Sequence, residues 1–89
     1  MSRPALISPH EIRVWLTLKD AGRWLTALEV SAMAKVGHTT AALHLRRFVA
    51  LGLVERALVF PGYRYRVAAK PNTEYISHLD SAAAVLALK

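Results

Sequence analysis

The feature that most constrains the fold is a change of hydrophobic period at Gly52. Before this glycine, residues 39–51 (TTAALHLRRFVAL) place apolar side chains every three or four positions, which predicts an amphipathic helix. After it, residues 53–60 and 63–67 are rich in β-branched, leucine and aromatic residues, and Pro61-Gly62 separates them. This pattern predicts a β-hairpin. A helix that leads directly into a hairpin indicates an α+β domain.

Two capping signals predict helices upstream. Ser8-Pro9-His10-Glu11 has the form of a capping box and opens a helix over about residues 9–20. Thr26-Ala27-Leu28-Glu29 is a second capping box, and it opens a shorter helix that runs to about Lys35. We therefore expect two helices before the helix over about residues 38–51.

Three further segments complete the predicted order of elements. Arg23-Trp24-Leu25 is too short to stand alone, so we expect a brief extended piece that needs a partner in a sheet. Val36-Gly37-His38 predicts a tight break between the second and third helices. Asn72 or Thr73 caps a last helix, EYISHLDSAAAVLALK, which carries an apolar stripe.

Charge is concentrated in one part of this 89-residue chain, whose length suits one small domain. The formal net charge is +6, and residues 39–70 hold six Arg or Lys against Glu55 alone, which is +5 of that total. Positive charge gathered on one segment indicates a polyanionic partner. We divide the chain into a main unit over residues 1–70 and a terminal helical element over residues 71–89.

Composition argues against several classes of site. Without cysteine the chain has neither disulfides nor thiolate metal ligands. The four histidines fall on separate predicted elements, and His78 and Asp80, two residues apart on a helix, point in different directions. The chain contains no glycine-rich phosphate loop and no nucleophile paired with a base. We therefore expect no metal, no cofactor and no enzyme activity.

The helix over residues 38–51 has two distinct faces. Ala41, Leu45, Phe48 and Leu51 are spaced to face the other helices. The opposite face is polar and basic apart from one leucine, and we assign to it Thr39, Thr40, Leu43, His44, Arg46 and Arg47. In the second strand of the hairpin, alternation predicts that Tyr63, Tyr65 and Val67 face inward and that Arg64 and Arg66 face away from the core.

The order helix, short strand, helix, tight turn, helix and hairpin over residues 9–67 resembles the winged helix-turn-helix superfamily. The matching residues are EVSAMAKVGHTTAALHLRRFVALGLVER and YRYRV, and the likeness is greatest to MarR-like and ArsR-like bacterial regulators. The resemblance implies an α+β, mostly helical fold, with a three-helix core, a β-hairpin wing and here an additional C-terminal helix. It also implies a sequence-specific regulator of transcription that binds double-stranded DNA, as a repressor dimer on a palindromic operator.

By this resemblance the third helix enters the major groove and the wing contacts a flanking phosphate or the minor groove. The implied DNA-binding residues are Thr39, Thr40, Leu43, His44, Arg46, Arg47, Arg64 and Arg66. Lys35 stands where relatives often have glycine, Gly37 where they often have serine, and Leu43 where they frequently have a polar base reader. Leu43 leaves open an alternative function, a winged-helix module for protein–protein interaction within a larger assembly.

The apolar stripe of the last helix has two possible partners, its own domain or a second copy of the chain. We predict a homodimer, with an interface formed by Tyr75, Leu79, Ala83 and Leu86. No stretch approaches the roughly 18 apolar residues of a membrane span, so we expect no membrane partner and a cytoplasmic, nucleoid-associated location. The sequence indicates no particular small-molecule effector.

Overall fold

The computed structural model describes residues 8–71 and 73–87. Over these residues the chain forms four α helices and an antiparallel sheet of three strands, which confirms the predicted α+β class. Their order and bounds are α1 (Pro9–Ala21), β1 (Leu25–Thr26), α2 (Ala27–Ala34), α3 (His38–Ala50), β2 (Val54–Val59), β3 (Gly62–Val67) and α4 (Thr73–Ala87).

The predicted start of α1 is confirmed in part. The Glu11 backbone N–H donates to the Ser8 Oγ at 3.1 Å, and Pro9 occupies the first turn. The Glu11 carboxylate, however, accepts a hydrogen bond from the Tyr75 hydroxyl on α4, which the capping-box prediction did not foresee. Gly22, in the left-handed conformation, ends the helix.

Thr26 ends β1 and begins α2. Its Oγ1 accepts from the Glu29 N–H at 3.1 Å, and the Glu29 carboxylate accepts from the Thr26 N–H at 2.9 Å, so the second capping box is complete. Before this cap, Leu25 pairs with Tyr65 of β3. The predicted short extended segment therefore does find a sheet partner, although the strand covers Leu25–Thr26 and not residues 23–25.

Lys35 forms the turn between α2 and α3 in the left-handed conformation, with φ 58° and ψ 46°. In this region a Cβ crowds the following carbonyl oxygen, so glycine is the favoured residue. The exposed Lys35 side chain does not pack in the core. The backbone strain is therefore not offset by buried contacts of this side chain.

We expect Lys35→Gly to stabilise the fold. Relief of the left-handed strain, about 1–2 kcal/mol, exceeds the entropy cost of glycine in the unfolded chain, about 0.5–1 kcal/mol. A net gain of about 0.5–1 kcal/mol is measurable as a higher urea midpoint. Lys35→Ala is the matched control, because alanine keeps the Cβ and should gain nothing. A midpoint for Lys35→Gly at or below the wild-type value would contradict the strain argument.

Gly52 ends α3 as the sequence predicts. With φ 77°, it donates its N–H to the Val49 carbonyl, while the Leu53 N–H donates to the Phe48 carbonyl at 2.9 Å. This pair of bonds is a Schellman motif. Phe48 and Leu53 on either side of it are both buried in the core. The chain therefore turns sharply from α3 into β2.

The sheet has the order β1-β3-β2, with β3 in the middle. The turn between β2 and β3 consists of Phe60 and Pro61, because Gly62 already pairs with Val59. The predicted Pro61-Gly62 turn was therefore wrong by one residue. The pairs nearest the core are Val54 with Val67 and Arg56 with Tyr65, and the opposite end of the hairpin projects beyond the core.

The core lies between α1, α2, α3 and the base of the sheet. Its largest fully buried side chains are Trp15, Phe48, Leu18, Leu25, Leu45, Leu53 and Leu79. The Trp15 and Phe48 rings meet edge to face, with centroids 6.0 Å apart. Leu51, predicted to face the helices, is instead part-exposed at the end of α3, because the helix stops at Ala50.

Helix α4 packs against α1 of the same chain. The Leu79 side chain is fully buried in the common core, and Ile76 packs against it. Asp80 accepts a hydrogen bond from the Trp15 indole N–H at 3.4 Å and from the Lys19 ammonium at 3.3 Å. The first half of the apolar stripe of α4 is therefore occupied within its own domain.

Candidate nucleic-acid interface

The outer face of α3 carries most of the residues predicted to bind DNA. Thr39, Leu43 and Arg46 are exposed on consecutive turns, and Leu43 keeps 46% of its surface accessible. Arg47 is exposed beside them, whereas Thr40 is half-buried. These exposed side chains form a continuous strip along α3 that carries hydroxyl, apolar and guanidinium groups.

His44 does not belong to that strip, and its assignment to the DNA-facing surface was wrong. The side chain is only 7% exposed, with Ala41, Leu45 and Phe48 on the buried side of α3. His44 lies at the edge of the apolar stripe of α3, and the start of α1, with Glu11, lies beside it. Burial lowers the pKa of His44, and the nearby Glu11 carboxylate partly opposes this effect. No partner among the described residues reaches its Nδ1 atom.

Glu11 and Tyr75 form the polar contact next to His44. The Tyr75 hydroxyl donates to the Glu11 Oε2 at 2.6 Å, and Glu11 is almost completely buried. Burial, and then this hydrogen bond, raise the pKa of Tyr75 to about 12. The contact joins the first turn of α1 to α4.

We expect the stability of the fold to decrease as the pH falls below about 6.5, the ordinary value for histidine. The unfolded chain then binds a proton at His44 that the folded chain takes up only at a lower pH, so acid favours unfolding. His44→Gln should flatten this part of the curve of unfolding free energy against pH. The control is His38→Gln, which alters an exposed histidine. Identical curves for wild type and His44→Gln would disprove this origin of the pH dependence.

The two arginines predicted on the wing have different surroundings. Arg64 is exposed in the half of β3 nearer the turn and contributes to the lowered pKa of Glu29, which is caused mainly by the Thr26 backbone hydrogen bond. Arg66 lies at the base of the hairpin, where its Nε is 3.5 Å from the Glu55 Oε2. Its guanidinium carbon is also 4.4 Å from the Trp24 ring centroid. Arg66 is therefore held by its own chain, and Arg64 is better placed for an external anion.

Arg56 is a further exposed arginine of the hairpin, on the opposite face of the strands from Arg64, and alternation along the sequence did not predict it as a site residue. It is exposed on β2, and its guanidinium carbon is 4.5 Å from the centroid of the Tyr63 ring. The register explains this contact, because Arg56 faces Tyr65 across the strands and lies diagonal to Tyr63. Alternation along β3 alone could not reveal it, since the pairing with β2 sets which residues meet.

A shallow cleft joins the tip of the hairpin to the starts of α2 and α3. Leu28 contributes from α2 and His38 from α3, and Pro61, Tyr63 and Arg64 line the opposite side. The first turn of α3 and the hairpin tip therefore belong to one continuous surface. Among the described residues, four arginines of α3 and the hairpin have no carboxylate within ion-pair distance: Arg46, Arg47, Arg56 and Arg64.

The structure also corrects the predicted dimer interface. Leu79 is completely buried against its own chain and is not open to a second copy, and the half-buried Tyr75 is hydrogen-bonded to Glu11. Ala83 is half-buried, and the side chain of Leu86 lies outside the described residues. An interface formed by all four residues would require α4 to leave the core.

The described residues offer neither a cluster of metal ligands nor a helix that could span a membrane. Among them, no three His, Asp or Glu side chains are grouped so that they could hold a metal ion. The Asp80 carboxylate accepts hydrogen bonds from Trp15 and Lys19. None of the described helices has the length and apolar character that crossing a bilayer requires.

Comparison with known proteins gives a likeness in fold. No protein-family model matches the sequence, and no curated protein is significantly similar to it. A crystal structure of the ST1889 protein from the thermoacidophilic archaeon Sulfolobus tokodaii superimposes with a TM-score of 0.66 at 23% sequence identity. The match covers 91% of this chain and 81% of that chain. At this level of identity the likeness concerns the arrangement of the backbone.

Proposed function

We propose that this chain is a winged helix-turn-helix protein that binds double-stranded DNA sequence-specifically and represses transcription by occupying an operator. The element order α1-β1-α2-α3-β2-β3 and the sheet order β1-β3-β2 support the proposal of a winged helix. In that arrangement α3 is the recognition helix, and the β2–β3 hairpin is the wing.

One observation carries the proposal of DNA binding. The first turn of α3 and the tip of the hairpin line one cleft, and four exposed arginines on these two elements have no ion-pair partner among the described residues. A surface that is positive along a helix and a neighbouring hairpin suits two adjacent grooves of a duplex. Thr39 is positioned to reach base edges, Arg46 to reach a base edge or a phosphate, and Arg56 and Arg64 to hold phosphates.

A second candidate is a module that binds another protein through the same surface. The exposed Leu43 and the apolar residues of the hairpin tip favour this alternative. The two candidates differ in electrostatics, because counterion release makes DNA binding steeply salt-dependent. Binding through Leu43 and the hairpin tip would depend little on salt.

Duplex binding measured at several salt concentrations tests the proposal. If the four arginines each hold one phosphate, the log–log slope of affinity against salt should be about −3 to −4, and affinity should fall roughly a hundredfold between 50 and 200 mM. Fluorescence anisotropy with a duplex selected from random sequences provides the measurement. A slope near zero, or no duplex binding at low salt, would reject DNA binding and favour the protein-binding module.

A homodimer on a palindromic operator remains a prediction from the sequence. With Tyr75 and Leu79 occupied within the chain, a dimer needs another surface. Half-sites in the selected sequences would indicate two-fold binding, because paired recognition helices contact sites about one helical turn apart. A single unrepeated site would indicate that the chain binds as a monomer.

A further inference from the structure

The tip of the β2–β3 hairpin is apolar and projects into solvent. Phe60 is 93% exposed and Leu58 is 70% exposed, and Val59 and Tyr63 beside them are nearly half exposed. None of these side chains belongs to the hydrophobic core. Folding of the chain therefore does not account for a phenylalanine at this position, and exposed apolar groups of this size mark contact sites.

The surroundings of the tip are basic. Arg56 stacks on Tyr63, and Arg64 lies in the half of β3 nearer the turn. Glu55 lies at the base of the hairpin, where Arg66 and the Ala69 N–H occupy its carboxylate. The exposed apolar tip lies between arginines that have no ion-pair partner among the described residues. Such a surface is complementary to a polyanion that contains apolar faces. Stacked base pairs between two phosphate chains have this combination.

The hairpin is long enough to reach into a groove. Tyr65 is the last buried residue of β3 on the way to the tip, and Pro61 lies four residues beyond it. At about 3.3 Å per residue the tip extends roughly 13 Å from the core. The minor groove is about 7.5 Å deep, so the tip reaches its floor while the body of the protein stays outside.

We propose that Phe60 acts as an apolar wedge that enters the minor groove and partly unstacks one base step. Arg56 and Arg64 hold the phosphates on either side of that step. The inference rests on the proposed function and adds that the protein bends its DNA towards the major groove. Pyrimidine–purine steps unstack most easily, so the selected sites should carry a TA or CA/TG step under the tip, beside the segment that α3 reads.

End-to-end energy transfer in a doubly labelled duplex of about 30 base pairs, carrying a selected site, measures the bend. Wild type should shorten the end-to-end distance, whereas Phe60→Ala should leave the duplex straight and bind about five- to tenfold more weakly. Because Phe60 is exposed, Phe60→Ala should have the wild-type circular dichroism spectrum. Leu58→Ala is the matched control, since it removes another exposed apolar side chain of the tip but leaves Phe60 in place, and it should still bend the duplex.

The possible results separate the two proposals. A wild-type protein that binds the duplex without bending it, or a Phe60→Ala variant that bends it equally, overturns the wedge and leaves DNA binding intact. Absence of any duplex binding removes both proposals. Sedimentation of the same proteins tests a protein partner at the tip: a wild-type dimer that Phe60→Ala converts to monomer, with DNA bending unchanged, overturns the wedge in favour of contact between two copies.

Discussion

Leu79→Glu should unfold the chain or detach α4 from it. Leu79 is completely buried in the shared core, so the substitution removes a packed leucine and places a carboxylate where none of the described residues supplies a buried Lys or Arg. Loss of the leucine alone costs about 2–5 kcal/mol, and burial of an unpaired charge adds to it. The free energy of unfolding of a small domain is about 5–15 kcal/mol, so this one substitution removes a large part of it.

Urea unfolding followed by circular dichroism measures the effect, and hydrogen exchange shows whether α4 or the whole chain opens. Ser77→Glu is the matched control, because Ser77 is exposed on the same helix and its substitution should leave the midpoint nearly unchanged. If Leu79→Glu kept the wild-type midpoint and only abolished a dimer, the packing of α4 on its own α1 would be wrong. The dimer interface predicted from the sequence would then be supported.

Arg46→Glu should weaken duplex binding by at least about tenfold at moderate salt. Arg46 lies in the middle of the exposed strip of α3, and the reversed charge replaces attraction to a phosphate or a base edge with repulsion. The salt slope of the remaining binding should be shallower by about one unit. Anisotropy titrations of wild type and variant on the same duplex provide both quantities.

Arg13→Glu makes the same change in net charge at an exposed position on α1, outside the proposed surface. It should reduce affinity only slightly, because screening weakens charges that lie far from the phosphates. Equal losses for Arg13→Glu and Arg46→Glu would mean that net charge alone attracts the DNA. The assignment of α3 as the helix in the groove would then fail.

The surface proposed for DNA binding was only partly predictable from the sequence. The hydrophobic period of α3 placed Thr39, Leu43 and Arg46 on the exposed face, and alternation along β3 placed Arg64 outward. Arg56 could not be found in this way, because its contact with Tyr63 depends on the register of β2 against β3. Register is set by pairing between distant residues and by the length of the turn.

The contacts of Arg66 also could not be predicted from the sequence. Alternation correctly predicts an outward arginine, but it carries no information about which neighbours that arginine meets. Glu55 lies opposite it on β2, and Trp24 approaches from the segment before β1. Both contacts arise because three separate parts of the chain meet at the sheet, and they leave Arg66 less available for a phosphate than Arg64.

Local chemistry in the sequence determined where the elements begin and end. Ser8, Thr26 and Gly52 act within one or two turns of themselves, so caps and stops could be predicted to within about one residue from their immediate neighbours. The same holds for the change from helix to strand after Gly52, since hydrophobic period is a property of a short window. These signals were sufficient to predict the α+β class and the order of its elements.

Only the tertiary structure decided which surfaces remain free. His44 lies at the edge of the apolar stripe of α3, and the sequence placed it on the exposed face because Glu11 of α1, which lies beside it in the fold, is more than thirty positions away. Leu79 has the same helical spacing whether α4 packs on its own α1 or on a second copy, so periodicity could not distinguish the two. The choice depends on contacts between residues more than sixty positions apart, such as Tyr75 with Glu11 and Asp80 with Trp15. Such contacts form only after the whole chain has packed, and for that reason no local pattern predicts them.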